Sequence, residues 1–399
     1  MQDIRTMDQT YVASTYGRFP VVIREGHGCI AVDENGKEYI DMGSGIGVNL
    51  FGYQDEVWKN AVMEQLNQVQ HTSNLYYTEP CAALAERMCE ATGMKKVFFC
   101  NSGAEANECA IKAARRYGEL HKGSGAYEII TLENSFHGRT LTTLAATGQA
   151  KFHQLFQPLT PGFIAVKAND CEALTEAVRS RPVCAVMLEC IQGEGGVNML
   201  TPEFIRAVQQ LAKENDLLVI DDEVQTGNGR TGKLYAWMNY EGFQPDIAST
   251  AKGLGGGLPI GATMLGEKVS DIFHPGDNGS TFGGNPVVCA GAIANFRRLD
   301  EKLLDDVVRK GKRIRELLEG AENVKSVSGM GLMIGIEPVS GSAAEIAAKC
   351  LEAGVLVLTA GGNRVRLLPP LNISDRTLES AADVIRTAFA QVSQTERNG

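Results

Sequence analysis

Lys252 stands in the run Ile247-Ala248-Ser249-Thr250-Ala251-Lys252-Gly253-Leu254-Gly255-Gly256-Gly257, behind small and apolar residues and ahead of glycines that offer no bulk to a planar ligand. A lysine is most often a solvated surface charge. One taken out of water holds its proton less tightly and becomes an amine nucleophile toward an aldehyde. Asp222 closes a second apolar run, Ile220-Asp221-Asp222-Glu223-Val224-Gln225, where a carboxylate needs a cationic or hydrogen-bonding partner. A helix N-terminus, a metal ion or a protonated heterocycle nitrogen would each serve. No histidine and no second acidic cluster lies nearby in the sequence, which leaves a hard-ion shell incomplete. In the third run, Cys100-Asn101-Ser102-Gly103-Ala104-Glu105-Ala106-Asn107, a glycine turn leads into a helix whose free N–H groups can hold a phosphate. Read alone, Ser102 is an ordinary helix cap.

What joins the three runs is position. Each follows an apolar stretch of strand character, and open parallel sheets bind ligands at their strand C-termini. From residue 54 onward, helical periodicity alternates with short apolar runs at Val97–Cys100, Tyr127–Leu132, Gly162–Val166, Val183–Leu188 and Leu217–Ile220. That rhythm predicts an α/β domain with parallel strands and right-handed crossovers. A helix opens at Thr78-Glu79-Pro80 and ends before Gly93; a second runs from about Ala104 to Tyr117 and stops at Gly118; a third spans Pro202–Glu214. After about residue 296 come a charged helix to Leu318, a glycine-rich strand pair around Val327–Ile336, a helix from Ala343, runs at Val355–Leu358 and Arg364–Leu368, and a helix over Asp375–Val392. The expected division is an N-terminal segment 1–50 that joins a smaller α+β domain at 297–399, with a large α/β domain at 51–296. The turn Glu34-Asn35-Gly36-Lys37 marks strands in the first segment.

Composition limits the ligands. Of 399 residues, 44% are hydrophobic and 22% charged, as in compact soluble proteins, and the net charge of −10 opposes binding to nucleic acid or anionic lipid. An anionic small ligand therefore needs a local positive pocket. The 44 glycines cluster without repeating, which suggests backbone-lined loops, yet they match neither nucleotide-binding spacing. The ten cysteines form no Cys-x-x-Cys pair, no segment is apolar enough to span a bilayer, and no leader is visible. Cytoplasm is the expected compartment.

A phosphate cradle, a carboxylate for a ring nitrogen and an amine nucleophile are the fixtures that pyridoxal 5′-phosphate requires. Over the whole chain the sequence resembles the class III, fold-type I aminotransferases, nearest their acetylornithine branch. The resemblance rests on Asp41–Asn49, Asn101–Asn107, Ser135-Phe136-His137-Gly138-Arg139-Thr140, Gln192-Gly193-Glu194-Gly195-Gly196, Asp222–Gln225, Gly229-Arg230-Thr231-Gly232, Lys252 and Arg364–Leu371. It implies a large cofactor-binding domain with a mostly parallel sheet and flanking helices, and a homodimer with active sites at the subunit interface. It implies Lys252 as the Schiff-base lysine and proton carrier, Asp222 on the pyridinium nitrogen, Gln225 on the phenolic oxygen and Phe136 on the ring face. Ser102, Gly103 and Ala104 would hold the phosphate, with Thr281 from the second subunit; Ser280 would reach substrate across the same interface. Arg139 and Arg366 would bind substrate carboxylates, Glu194 would pair with Arg366, and Tyr16 would line the substrate. Arg364 reads instead as a structural ion-pair residue.

The implied reaction moves the δ-amino group of N2-acetylornithine to 2-oxoglutarate, in arginine biosynthesis. Ornithine, succinylornithine, 4-aminobutyrate and succinyldiaminopimelate are the alternative donors, and a mutase or racemase is a further use of the same scaffold. A nucleotide-binding regulator would explain the glycines but not Lys252 with Asp222. Two positions depart from the family pattern: Cys190 where proline is common, and Asn228 where methionine is, each able to reshape the pocket wall. His137 beside Phe136 matches the acetylornithine branch.

Overall fold

The computed structural model describes residues 3–397, with side chains through residue 393. Seven strands form its central sheet in the order Lys96–Cys100, Gly261–Leu265, Ile247–Thr250, Leu218–Asp222, Val183–Leu188, Glu128–Leu132 and Phe163–Val166. Gly261–Leu265 runs antiparallel to both neighbours, and the other pairings are parallel. Strands on either side of the antiparallel one therefore point the same way. Cys100, Asp222 and Thr250 end at one edge of the sheet, which brings the three chemical runs together.

The five inner strands are buried on both faces, as the continuous apolar run Val183–Leu188 requires, while the edge strands Lys96–Cys100 and Phe163–Val166 are partly exposed. One face packs against the helix Gly103–Lys122 through Ala110, Ala113, Ala114 and Tyr117. The other packs against the helices Glu79–Thr92, Pro202–Asn215 and Pro286–Phe296 through Leu84, Met88, Phe204, Val208 and Val288. The Glu79–Thr92 helix ends as the sequence indicates, with Gly93 in the left-handed region at φ 74°.

Two expectations fail here. Gly118 does not stop its helix, which continues to Lys122 and is capped by Gly123. Gly118 is needed for packing instead: a Cβ there would sit 1.9 Å from the carbonyl oxygen of Ala126 and 2.7 Å from Cys184 Cβ. The strand Gly261–Leu265 was not expected either, because Gly-Ala-Thr-Met-Leu carries only one β-branched residue.

The two chain ends meet in a second layer. Strands Ile23–His27, Ile30–Asp33 and Glu38–Asp41 form an antiparallel meander, completed by Val355–Leu356 lying parallel to Glu38–Asp41. The turn between the last two meander strands is fixed by Asp33, whose Oδ1 accepts from the N–H groups of Asn35 and Lys37. A further sheet orders Val324–Met330, Met333–Pro338, Arg364–Leu367 and Leu358–Ala360. Its core combines Met42, Leu50 and Phe51 with Ile314, Ile346, Leu378 and Phe389 from the C-terminal helices. Among the described residues no helix is long and apolar enough to cross a membrane.

Candidate active site

A cavity of about 440 Å³ opens at the sheet edge where the three runs end, lined by Ser102, Gly103, Phe136, Asp222, Gln225 and Lys252 among others. Lys252 follows the strand Ile247–Thr250 after one residue and holds φ 44°, a left-handed conformation that costs a non-glycine residue ~1–3 kcal/mol. Such strain persists where the surroundings dictate it. Burial pulls the Lys252 amine below its ordinary range; Glu194, Asp222 and Glu189 draw it back, and Arg366 lowers it further. The amine makes no hydrogen bond among the described residues. The glycines after it serve packing more than ligand clearance: a Cβ on Gly255 would lie 2.0 Å from Leu258 O, and within Gly253–Gly257 only Gly257 lines the cavity.

Asp222 is the last residue of its strand and faces the cavity. Its Oδ2 accepts from Asn107 Nδ2 at 2.8 Å and pairs with His137 Nδ1 at 2.7 Å; its Oδ1 accepts from the Val224 N–H. Burial lowers the His137 imidazole, but the hydrogen bond and charge of Asp222 bring it above its ordinary value. With the Ser249 hydroxyl at 3.5 Å from Oδ1, Asp222 is held in one orientation by four donors. Across the cavity Ser102 caps the helix Gly103–Lys122, its Oγ accepting from the Glu105 N–H. The first N–H groups of that helix, on Gly103 and Ala104, have no acceptor among the described residues.

Arg366 is 2% exposed and donates from Nη1 to Glu194 Oε1 and to Gln225 Oε1, each at 2.8 Å. Gln225 Nε2 also donates to Glu194 Oε1 at 3.2 Å. Burial would raise the Glu194 carboxyl, but Arg366 outweighs it and holds Glu194 below the ordinary carboxylate range. The glycines around Glu194 fit tightly rather than loosely: a Cβ on Gly193 would lie 2.2 Å from Gln225 Oε1, and one on Gly195 2.5 Å from Asn134 O. Arg139 lines the cavity with its guanidinium over Phe136 and Phe152, and it has no acidic partner among the described residues. Arg364 is tied to Gly196 O, Ser328 Oγ and Glu337, a structural set of contacts.

Five expected site residues stand outside the lining of this cavity: Glu194 and Arg366, joined to it through Gln225, and Tyr16, Ser280 and Thr281. Tyr16 is exposed in the N-terminal segment, stacked by Arg18. Ser280 accepts from Asn101 Nδ2 at 3.0 Å, next to the cap but outside the lining. Thr281 is exposed and borders a separate cavity with Tyr76 and Tyr77. Cys190 and Asn228 do not reshape the pocket wall, since neither lines it. Asn228 is buried behind Lys252, donating to Thr250 Oγ1 and Ala251 O. Cys190 is fully buried, with its thiol 3.5 Å from Asp221 Oδ2.

Cys190, Asp221 and Glu223 together form a buried cluster with donor atoms within 4.8 Å, an acidic group the spacing did not reveal. Burial and Glu223 push Asp221 well above its ordinary value, and burial pushes Glu223 up to about 7. A proton shared by the two carboxyls lowers the buried charge from two to one. Sequence reasoning also passed over Glu189 and Arg230. Glu189 lines the cavity. Arg230 is fully buried and donates to the carbonyl oxygens of Leu332 and Pro369, joining the Gly229–Gly232 loop to the layer that carries Arg366.

The family model for class-III aminotransferases matches residues 11–389, and the chain belongs to that family. It is similar to the acetylornithine aminotransferase of Haemophilus ducreyi, with 48% identity over 98% of this chain and 99% of the relative. Among solved structures it is similar to the ornithine aminotransferase of Toxoplasma gondii, with TM-score 0.93 and 34% identity over 98% of this chain and 95% of that one. The N-acetylornithine aminotransferase of Stenotrophomonas maltophilia superposes with TM-score 0.84 and 34% identity, covering 98% and 99% of the two chains.

The cofactor of this class is pyridoxal 5′-phosphate, and the residues present fit it. Two unpartnered helix N–H groups face the cavity as a phosphate cup needs. Gly103 is obligatory there, because a Cβ would meet both Val224 methyls at under 3 Å. The oriented Asp222 carboxylate and the unbonded Lys252 amine complete the donor set.

Proposed function

We propose that this pocket transfers the terminal amino group of N2-acetylornithine to 2-oxoglutarate, giving N-acetylglutamate 5-semialdehyde and glutamate, as a cytoplasmic step of arginine biosynthesis. The observation that carries the reading is the Arg366–Glu194 pair at 2.8 Å. Bound pyridoxal phosphate supplies an aldehyde that captures amines and a ring that accepts electrons from the donor carbon. Lys252 Nζ would anchor the cofactor and carry the proton removed from the donor carbon. Asp222 would keep the ring nitrogen protonated, Gln225 would bond the phenolic oxygen, and Phe136 would cover the ring face. Ser102, Gly103 and Ala104 would hold the phosphate, with the partner subunit's Thr281; the partner subunit's Ser280 would reach substrate across the same interface, and Tyr16 would line the substrate.

Two donors of opposite polarity use one pocket. Acetylornithine must present its terminal amine with its carboxylate far away, on Arg139. Glutamate must present its α-amine with a carboxylate near the reacting carbon, on Arg366. An uncovered Arg366 would favour α-amines in both half-reactions, so Glu194 covers it while the acylated donor reacts. Exposed Leu75, Tyr76, Tyr77 and Phe282 near Thr281 support a homodimer, and ten unpaired cysteines support a reducing compartment. Residues 51–296 act as the cofactor-binding domain, and 297–399 with 1–50 as the smaller one.

In Glu194→Ala, single-turnover absorbance should show the glutamate half-reaction kept or accelerated and the acetylornithine half-reaction slowed. The ratio should shift about tenfold or more, the size of a charged hydrogen bond. Equal slowing of both would mean that Glu194 only anchors its loop.

A further inference from the structure

The carboxylate that neither cofactor nor substrate claims is Glu189, one residue beyond the strand Val183–Leu188. It is 5% exposed, and what exposure it has is toward the cavity. Its Oε1 accepts from the Phe136 N–H at 2.9 Å and its Oε2 from the Gly193 N–H at 3.2 Å. These donors belong to different loops. Phe136 is on the loop that carries Arg139, and Gly193 immediately precedes Glu194. One side chain therefore links the loop that carries Arg139 to the loop whose Glu194 pairs with Arg366.

We propose that Glu189 is a positioning residue for the dicarboxylate acceptor, and that only its ionised form holds the Phe136–Arg139 loop to the Gly193–Glu194 loop. The inference rests on the acceptor assigned above. A carboxylate offers an acceptor to each N–H, whereas a carboxylic acid turns one oxygen into a donor and loses one tie. The charged and titratable groups around Glu189 are His137 and Asp222 from adjoining elements and Lys252, with Arg139, Glu194 and Arg366 beyond the tied loops. Burial pushes Glu189 up to about 7 and Asp222 adds to the rise, while His137 and the two N–H donors oppose it. Both ties are thus present above neutrality and one is lost as the pH falls through it, which makes acceptor recognition pH-sensitive where an ordinary glutamate would not.

The test uses the holoenzyme and glutarate, a dicarboxylate without a reacting group, with binding followed by calorimetry from pH 6 to pH 8.5. For the parent protein the dissociation constant should fall about tenfold as the pH rises through 7, the worth of one charged hydrogen bond. Glu189→Gln places an amide donor against one of the N–H groups. It should bind glutarate at pH 8 as weakly as the parent at pH 6, with little further pH dependence. A purely structural role would weaken binding at every pH and leave the parent's pH dependence in place. Parent-like binding by Glu189→Gln at pH 8, or an unchanged pH dependence in it, overturns the proposal. Should the variant fail to fold, as judged by thermal melting, flat glutarate binding in the parent across the same range overturns it equally. Absence of glutarate binding at any pH contradicts the dicarboxylate acceptor itself, and with it this inference.

Discussion

Lys252→Ala is expected to lose transamination by at least ~10⁴-fold, since one substitution removes both the amine that exchanges with the donor and the positioned proton carrier. The protein should remain folded. Lys252 Nζ makes no hydrogen bond among the described residues, so its removal leaves no orphaned partner among them. Its loss removes a cation that acts on Glu194 and Glu189, and the proton affinities of these two carboxylates should rise. The helix N–H groups of Gly103 and Ala104 and the Asp222 carboxylate are untouched, so the variant should still retain cofactor. In the parent, borohydride reduction should fix the cofactor's mass to the peptide containing Lys252. Attachment to another lysine would end the assignment.

Asp222→Asn is expected to give a coloured protein slowed by roughly 10²–10³-fold, the size of losing one preorganised electrostatic partner. The negative charge opposite the ring nitrogen disappears, whereas capture of the aldehyde by Lys252 does not require it. The local network must also adjust. Asp222 Oδ2 accepts from both Asn107 and His137, and an amide nitrogen in that place would face two donors. His137 can relieve this by moving its ring proton to Nε2, which has no partner in the parent structure. A turnover rate equal to the parent's, with cofactor bound, would show that Asp222 does not control the ring nitrogen.

Ser102, Asp222 and Lys252 could be placed at one sheet edge from the sequence because each lies where a regular apolar pattern ends. Cys100, Ile220 and Thr250 close or nearly close their strands, and the polar residues that follow can only be at the sheet edge. The alternation of strands and helices fixed the α/β class for the same reason. Residues whose work depends on three-dimensional contact were not legible. Glu189 is a lone glutamate after an apolar strand, and nothing in its spacing says that Phe136 and Gly193 will donate to it. Arg230 lies 102 and 139 residues from the carbonyls it binds. Gly118 has the local signature of a helix stop, but the approach of Ala126 decides its role. Glu223 reads as part of the Asp222 run, yet its side chain turns away to Asp221, Thr226 and Trp237 behind the cavity.

The central claim is that this pocket selects a terminal amine on an acylated donor and delivers its nitrogen to 2-oxoglutarate. Initial rates at fixed 2-oxoglutarate, with N2-acetylornithine, ornithine, succinylornithine, 4-aminobutyrate and succinyldiaminopimelate each labelled with ¹⁵N at the terminal amine, test it most directly. The account predicts that N2-acetylornithine has the highest kcat/KM and that the glutamate formed from it carries the ¹⁵N label. A higher kcat/KM for another donor, or no labelled glutamate from N2-acetylornithine, would contradict it.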